Sequence, residues 1–241
     1  MNKRVLSDGR AYRLFRPSTW WLEDEGLDGW YTPPAPRATS DPVPDGDGGY
    51  WPSRFLLSPR TVTIRGAHVA ETSTLARAAA EDWLASLDGE FPVVVEDEHG
   101  AREITAFQSA APTLKRLDDY AVAFSLIVTA PDPIKYGRRA AFSGDHVENA
   151  GGTPVLPWRI VTSGRATRIN VSLAGHRIRW VGNSQSITID LRTGTARDAR
   201  GSDVTMGLIE DDVPLLPPGR SPLVIDSDAA HVAVEVRPGW R

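Results

Sequence analysis

From residue 60 onward, apolar and polar positions alternate along most of the chain, with one interruption by a helical period. Residues 60–66 alternate around Val62 and Ile64 and predict a strand. In residues 71–87 the period lengthens: Leu75, Ala79, Trp83 and Leu87 recur at every fourth position and predict an amphipathic helix. Thr72 or Ser73 can cap its start, and Gly89 can stop it. Residues 91–95 and 102–107 flank Glu96-Asp97-Glu98-His99-Gly100 and predict a hairpin. In 120–129, Tyr120, Val122, Phe124, Leu126 and Val128 share one face; Ala121, Ala123, Ser125, Ile127 and Thr129 share the other. Both faces are small or apolar, so this strand is expected to be covered on both sides, by its own domain or by a neighbouring subunit. Pro131 and Pro133 then fix φ, remove two backbone donors and make a stiff corner.

Past Gly137 the pattern changes. Residues 138–150 are polar without periodicity and read as a linker. Residues 151–241 show only strands. Ile169, Val171 and Leu173 alternate with polar neighbours up to an Ala174-Gly175 turn, and Ile178 and Trp180 follow. Ile187, Ile189 and Leu191 lead to a Thr193-Gly194 turn; Leu223 with Ile225, then Val232, Val234 and Val236, complete the set. Half-buried strands with glycine turns between them predict an antiparallel sandwich. The expected fold is therefore mainly β. An α+β domain, 1–137, packs one helix on sheets; a linker, 138–150, precedes the sandwich, 151–241.

Residues 12–51 fit neither period. They hold Trp20, Trp21, Trp30 and Trp51, the run Pro33-Pro34-Ala35-Pro36 and the turn-rich tract 41–49. A loop this long is unusual inside a compact domain. Its tryptophans either fold back on their own core or anchor an arm on another subunit, so all four are candidate subunit-interface residues.

Composition narrows the chemistry. The 241 residues carry a net charge of −4, which gives no overall basic footprint for nucleic acid, although Arg138-Arg139 forms a tight basic pair near the domain boundary. There is no cysteine, hence no disulfide framework, thiol nucleophile or thiolate metal site. The first fifteen residues lack the apolar core of a signal peptide, and no run approaches the ~18 apolar residues needed to span a bilayer. His68, His99, His146, His176 and His231 are never three or four residues apart, so no helical zinc motif exists. Gly182-Asn183-Ser184-Gln185-Ser186 lacks the closing glycine and the helix of a nucleophile elbow. Gly46-Asp47-Gly48-Gly49 has neither the strand nor the helix of a dinucleotide site. The acidic groups 96–98 and 210–212 read as solvated turns, with calcium as their better functional alternative. Asn170-Val171-Ser172 is a formal glycosylation sequon that reads as accidental. No catalytic, cofactor-binding or metal-binding residue is assigned.

Several short motifs nevertheless fall in a telling order. Ala130, Asp132, Pro133 and Tyr136 form Ala-x-Asp-Pro-x-x-Tyr; Asn149, Gly151 and Pro157 form Asn-x-Gly followed by a proline; Leu216-Pro217-Pro218-Gly219 precedes the last strands, and Trp240 lies near the end. In this arrangement the chain resembles the distal tail proteins (Dit) of bacteriophages with long, non-contractile tails. That resemblance implies a hexameric hub ring, a homo-hexamer, at the tail tip of the virion, assembled in the host cytoplasm. The first domain would build the ring, between the tail tube protein and the tail-associated lysin or baseplate hub. A galectin-like second domain would face outward and present accessory or receptor-binding proteins. Asp132, Pro133, Tyr136 and Gly151 become domain-junction residues. The tryptophan- and proline-rich segment 12–51 departs from the family pattern. The resemblance implies no enzyme, no cofactor, no specific nucleic-acid binding and no membrane insertion. The competing reading is a carbohydrate-binding module contacting a cell-wall glycan, for which Trp158 and Trp180 are the candidate platforms, although their strand patterns predict burial.

Overall fold

The computed structural model describes residues 4–7, 10–12, 19–37, 40–52 and 55–241. Two compact units divide at the 135/136 bond.

In the first unit the strands are β1 (Arg4–Ser7), β2 (Arg10–Tyr12), β3 (Trp20–Asp28) and β4 (Arg60–Val69), followed by helix α1 (Ser73–Ala85). Then come β5 (Glu90–Asp97), β6 (Gly100–Gln108), β7 (Thr113–Arg116) and β8 (Ala121–Ala130). The sheet runs β2-β1-β5-β6-β8-β4-β3, and β7 also pairs with β8. The long β4–β8 pairing sets Val62 opposite Val128 and Ile64 opposite Leu126, so one continuous apolar face meets α1 and the strands around it. The hairpin β5–β6 is tight, with Gly100 at φ 94°, a conformation that favours glycine.

Helix α1 starts where Thr72 Oγ1 accepts the Leu75 N–H at 3.2 Å. Its buried stripe is Ala76, Ala80, Trp83 and Leu84, with Leu87 just beyond the end. That stripe is rotated from the expected one: Leu75 is exposed and Ala79 only half-buried. The small Ala76 and Ala80 let the helix approach the sheet, while Trp83 packs edge-on against Trp20 and Phe124, each at 5.1 Å.

Strand β8 lies inside the sheet, and Val122 to Ala130 are buried at alternate positions. Its other face is half-covered at Ala123, Ser125, Ile127 and Thr129. Tyr120 lies before the strand and is exposed, so it does not share the buried face assigned to it. A second correction concerns β3. Residues 20–28 form a strand inside what reads as loop, and a register shift between Leu22 and Leu27 hides its alternation. Within that break, a side chain at Gly26 would place its Cβ 2.4 Å from the Arg65 carbonyl oxygen.

The second unit contains β9 (Lys135–Tyr136, straddling the division), β10 (Ala140–Phe142), β11 (His146–Asn149), β12 (Arg159–Ser163), β13 (Arg165–Leu173), β14 (His176–Gln185), β15 (Thr188–Asp190) and β16 (Thr195–Arg197). It ends with β17 (Leu208–Asp211), β18 (Gly219–Ser227), β19 (His231–Val236) and β20 (Gly239–Trp240). Two antiparallel sheets, β10-β19-β12-β15-β16 and β11-β18-β13-β14-β17, enclose a core of Ile160, Ile169, Val171, Ile178, Trp180, Ile189, Val234 and their neighbours. Residues 138–150, expected as a linker, hold β10 and β11, an edge strand of each sheet. Strands of three and four residues are too short to show a period, which is why they read as linker.

Candidate functional site

The four tryptophans of 12–51 divide sharply. Trp30 is 0% exposed in the core of its own unit and offers no surface to a neighbour. Trp20 is half-buried, stacked on His68 at 4.2 Å, and Trp21 is half-buried on β3. Trp51 is 88% exposed. It sits on the segment between β3 and β4, an arm whose described residues are tied together by isolated bridges, Pro36 to Leu57 and Pro42 to Gly49. At the base Ser58 N–H donates to the Ala35 carbonyl and Arg37 N–H to the Leu56 carbonyl; further out Tyr50 N–H donates to Asp41 and Val43 N–H to Gly48. Asp45 and Gly48 adopt positive φ at the tip. Gly49 lets the two sides close, because a Cβ there would lie 2.2 Å from Ser40 Oγ. Tyr50, Trp51, Phe55 and Leu56 leave much of their apolar surface in water, with Trp51 edge-on to Phe55 at 6.4 Å.

The junction residues fall at two places. In the first unit Asp132 Oδ1 accepts the Ile134 N–H, closing a local turn between the prolines. The Pro133 carbonyl accepts Arg60 Nε at 2.9 Å, and Arg60 Nη1 also donates to the carbonyls of Gly29, Trp30 and Thr32. Lys135 Nζ donates to the same Trp30 carbonyl at 2.8 Å. Arg60 and Lys135 are 2% and 3% exposed. Backbone carbonyls therefore hold two buried cations, and Arg60 Nη2 and Trp30 Nε1 keep no hydrogen-bond partner. Burial, then the neighbouring Arg60 and Arg102 charges, push the Lys135 ammonium down to about 8. Nearby, Tyr31 donates to Asp97, and burial with the Asp97 charge raises the phenol to about 12. The corner is thus fastened by cations contributed 75 positions apart in the chain, Arg60 and Lys135, neither of which the motif itself marks.

In the second unit Asn149 Oδ1 accepts the Gly151 N–H, while its Nδ2 donates to the carbonyls of Thr153 and Leu216. Gly151 lies against Gly239 so closely that a Cβ would sit 2.1 Å from the Gly239 carbonyl oxygen. These residues close the sandwich and carry no reactive group. Tyr136 joins a larger assembly. Arg192 and Arg237 lie over its ring at 5.7 and 5.5 Å, and both also lie over Trp158 at 5.1 Å. Arg139 stacks on Trp158 at 5.6 Å. Glu235 accepts Arg159 at 2.6 Å and Arg139 at 3.2 Å. Three guanidinium groups thus lie against two aromatic rings, and Arg159 joins Arg139 on the Glu235 carboxylate. Sequence reading marked only Arg138-Arg139 here; Arg192 comes from the turn after β15 and Arg237 from just past the end of β19.

The remaining candidates resolve simply. Trp180 is 1% exposed and its indole N–H donates to the Val204 carbonyl, so it is no sugar platform. Trp158 is half-buried and stacked by guanidinium groups. His68 is buried on β4, its Nδ1 3.1 Å from the Thr19 carbonyl oxygen. Asp212 pairs with His176, Glu210 with Arg179, and Asp97 accepts the His99 N–H. Among the described residues, no group of three or more histidine, aspartate or glutamate side chains is placed to hold a metal ion. No helix among them is long and apolar enough to cross a membrane.

The whole chain superposes on the whole of the Dit (gp 19.1) protein of phage SPP1, with a TM-score of 0.75 at 16% identity. That protein is described as a paradigm of the hub adsorption apparatus in phages infecting Gram-positive bacteria. A chain of the phage P2 baseplate in its activated conformation with Ca matches 99% of this chain and 98% of its own length, with a TM-score of 0.61 at 6% identity. A chain of the phage p2 baseplate with Sr covers 97% of each, with a TM-score of 0.55 at 7% identity. No protein-family model and no curated protein matches the sequence. The fold resembling Dit is thus shared end to end, at identities where sequence comparison alone is silent.

Proposed function

We propose that the chain is a structural component of the phage tail tip, a hub ring of six copies that joins the tail tube to the tail-associated lysin or baseplate. The observation that carries this is the end-to-end match to SPP1 Dit, which includes both units and leaves neither chain with an unmatched domain. The first unit builds the ring. The second presents an outward surface for accessory or receptor-binding proteins. Asp132, Pro133, Tyr136 and Gly151 serve geometry: they fix the turns at which each unit begins or ends. Charge agrees with a ring around the path of DNA. Residues 1–135 carry twenty acidic and fourteen basic residues, a net −6 that does not retain phosphates. The carbohydrate-binding alternative loses support, because one of its tryptophans is buried and the other is stacked under arginines. Gold-labelled antibody against the chain, imaged on intact virions by electron microscopy, tests the location. Label at the tail tip is expected; label on the capsid, or none on the virion, overturns the proposal.

A further inference from the structure

The buried corner of the first unit holds more hydrogen-bond donors than it has acceptors for. Arg60 Nη1 and Lys135 Nζ both donate to the Trp30 carbonyl oxygen, so the two cations stand within two hydrogen-bond lengths of each other. All three side chains are closed off from solvent. The acceptors that meet the two cations are backbone carbonyls, those of Gly29, Trp30, Thr32 and Pro133, and among the described residues no carboxylate pairs with either cation. Asp97, the acid whose charge reaches Lys135, is engaged by the Tyr31 hydroxyl and the His99 N–H. Donors are therefore left over. Arg60 Nη2 and Trp30 Nε1 meet no acceptor, and only one of the three ammonium N–H groups of Lys135 is placed on a carbonyl. Carbonyl dipoles offset part of the charge, yet two enclosed like charges stay costly without an anion beside them. Burial, then the Arg60 charge, lowers the Lys135 ammonium to about 8, the response expected of cations enclosed together. Arg60 has no such escape, because a guanidinium keeps its proton in proteins.

We propose that this corner is an anion site, in which a chloride ion is held by Arg60 Nη2 and the Lys135 ammonium, with Trp30 Nε1 as the third donor. The donor set fits a halide. It consists of N–H groups alone, two of them on cations, and such charge-assisted bonds are the strong ones. A water molecule would answer the hydrogen bonds but not the charge. The enclosure of all three side chains favours a monatomic ion over a phosphate group or a peptide carboxylate, which would have to open the corner to enter. The ion would tie three segments together: the turn 29–32, the start of β4 at Arg60, and the proline corner that ends at Lys135. It would act as a structural ligand, and nothing in the site depends on how many copies assemble.

The test follows chloride itself, by chlorine NMR line broadening on the full chain at neutral pH. Broadening that saturates with chloride and is reversed by competing bromide is expected. Lys135→Met and Trp30→Phe should each weaken chloride binding about tenfold, as the loss of one strong donor does. Arg200→Gln, which alters an exposed guanidinium of the second unit, should leave it unchanged. Thermal melts of the same chains, with chloride exchanged for gluconate at constant ionic strength, should show a chloride-dependent rise in the native chain that shrinks in both core variants. Because a core variant can fail to fold, crystals of the native chain soaked in bromide give an independent answer: an anomalous peak within hydrogen-bond reach of Arg60 Nη2 is expected. The site is overturned by bromide-soaked crystals with no such peak, by broadening equal in the native chain and both folded variants, or by native melts indifferent to chloride.

Discussion

The two units solve the problem of a β-rich chain in different ways. The second is sealed: its sheets face each other, Trp180 and its aliphatic neighbours fill the space between, and surface cations are stacked on aromatic rings. The first is left open. One face of its sheet carries α1, the other is half-covered along β8, and the segment between β3 and β4 keeps a nearly bare tryptophan. Its unusual interior feature is electrostatic, two buried cations held by carbonyl oxygens. The first unit thus leaves large apolar side chains in water, while the second packs most of its own between its sheets.

Substitutions can break this contrast at several levels. The largest losses should come from the two core tryptophans. Trp30→Ala and Trp180→Ala are each expected to cost about 3–5 kcal/mol, read as a shift in denaturant midpoint, because each leaves a large cavity in a separate core. Equal, small losses would mean that neither core depends on its indole. Gly151→Ala should cost about 2–3 kcal/mol, since the new methyl must displace the Gly239 backbone. Stability unchanged by that substitution would show that the closure of the sandwich is loose. Thr72→Ala, which removes the cap of α1, should cost about 1 kcal/mol by the same measurement.

A pH experiment addresses the buried cations. The Lys135 pKa falls from 10.5 unfolded to about 8 folded, so the unfolded chain holds the extra proton between those values. Stability from this group therefore rises as pH increases from about 8 to 10.5 and is flat on either side. Lys135→Met should abolish that rise in thermal melts while leaving behaviour below pH 8 parallel to the native chain. A rise that survives the substitution assigns the titration elsewhere. The smallest stability effect is expected of Trp51→Ala, within about 0.5 kcal/mol, because the side chain is already solvated. A large loss would mean that the tryptophan serves its own fold.

Much of the fold was legible in the sequence, for identifiable reasons. Strands β4, β5, β6 and β8 and the long strands of the sandwich have one buried face, so their period survives in the residue order. The helix was legible as an element but not in its facing, because the stripe that packs is built from alanines that resemble neighbouring positions. Strand β3 was hidden by its register shift, and β10 and β11 by their brevity. The junction motif was legible as a corner. Its anchors were not: Arg60 and Lys135 act through backbone carbonyls, which have no sequence signature. The same limit hid the stack, which gathers Tyr136, Arg139, Trp158, Arg192 and Arg237 only after folding.

The central claim concerns assembly, and native mass spectrometry of the purified full chain tests it most directly. The account predicts a particle of six copies of 26.3 kDa, about 158 kDa, alone or on addition of the tail tube protein, since a partner can supply the free energy of ring closure. A chain that stays a 26.3 kDa monomer across micromolar concentrations, both alone and with that protein, would contradict it.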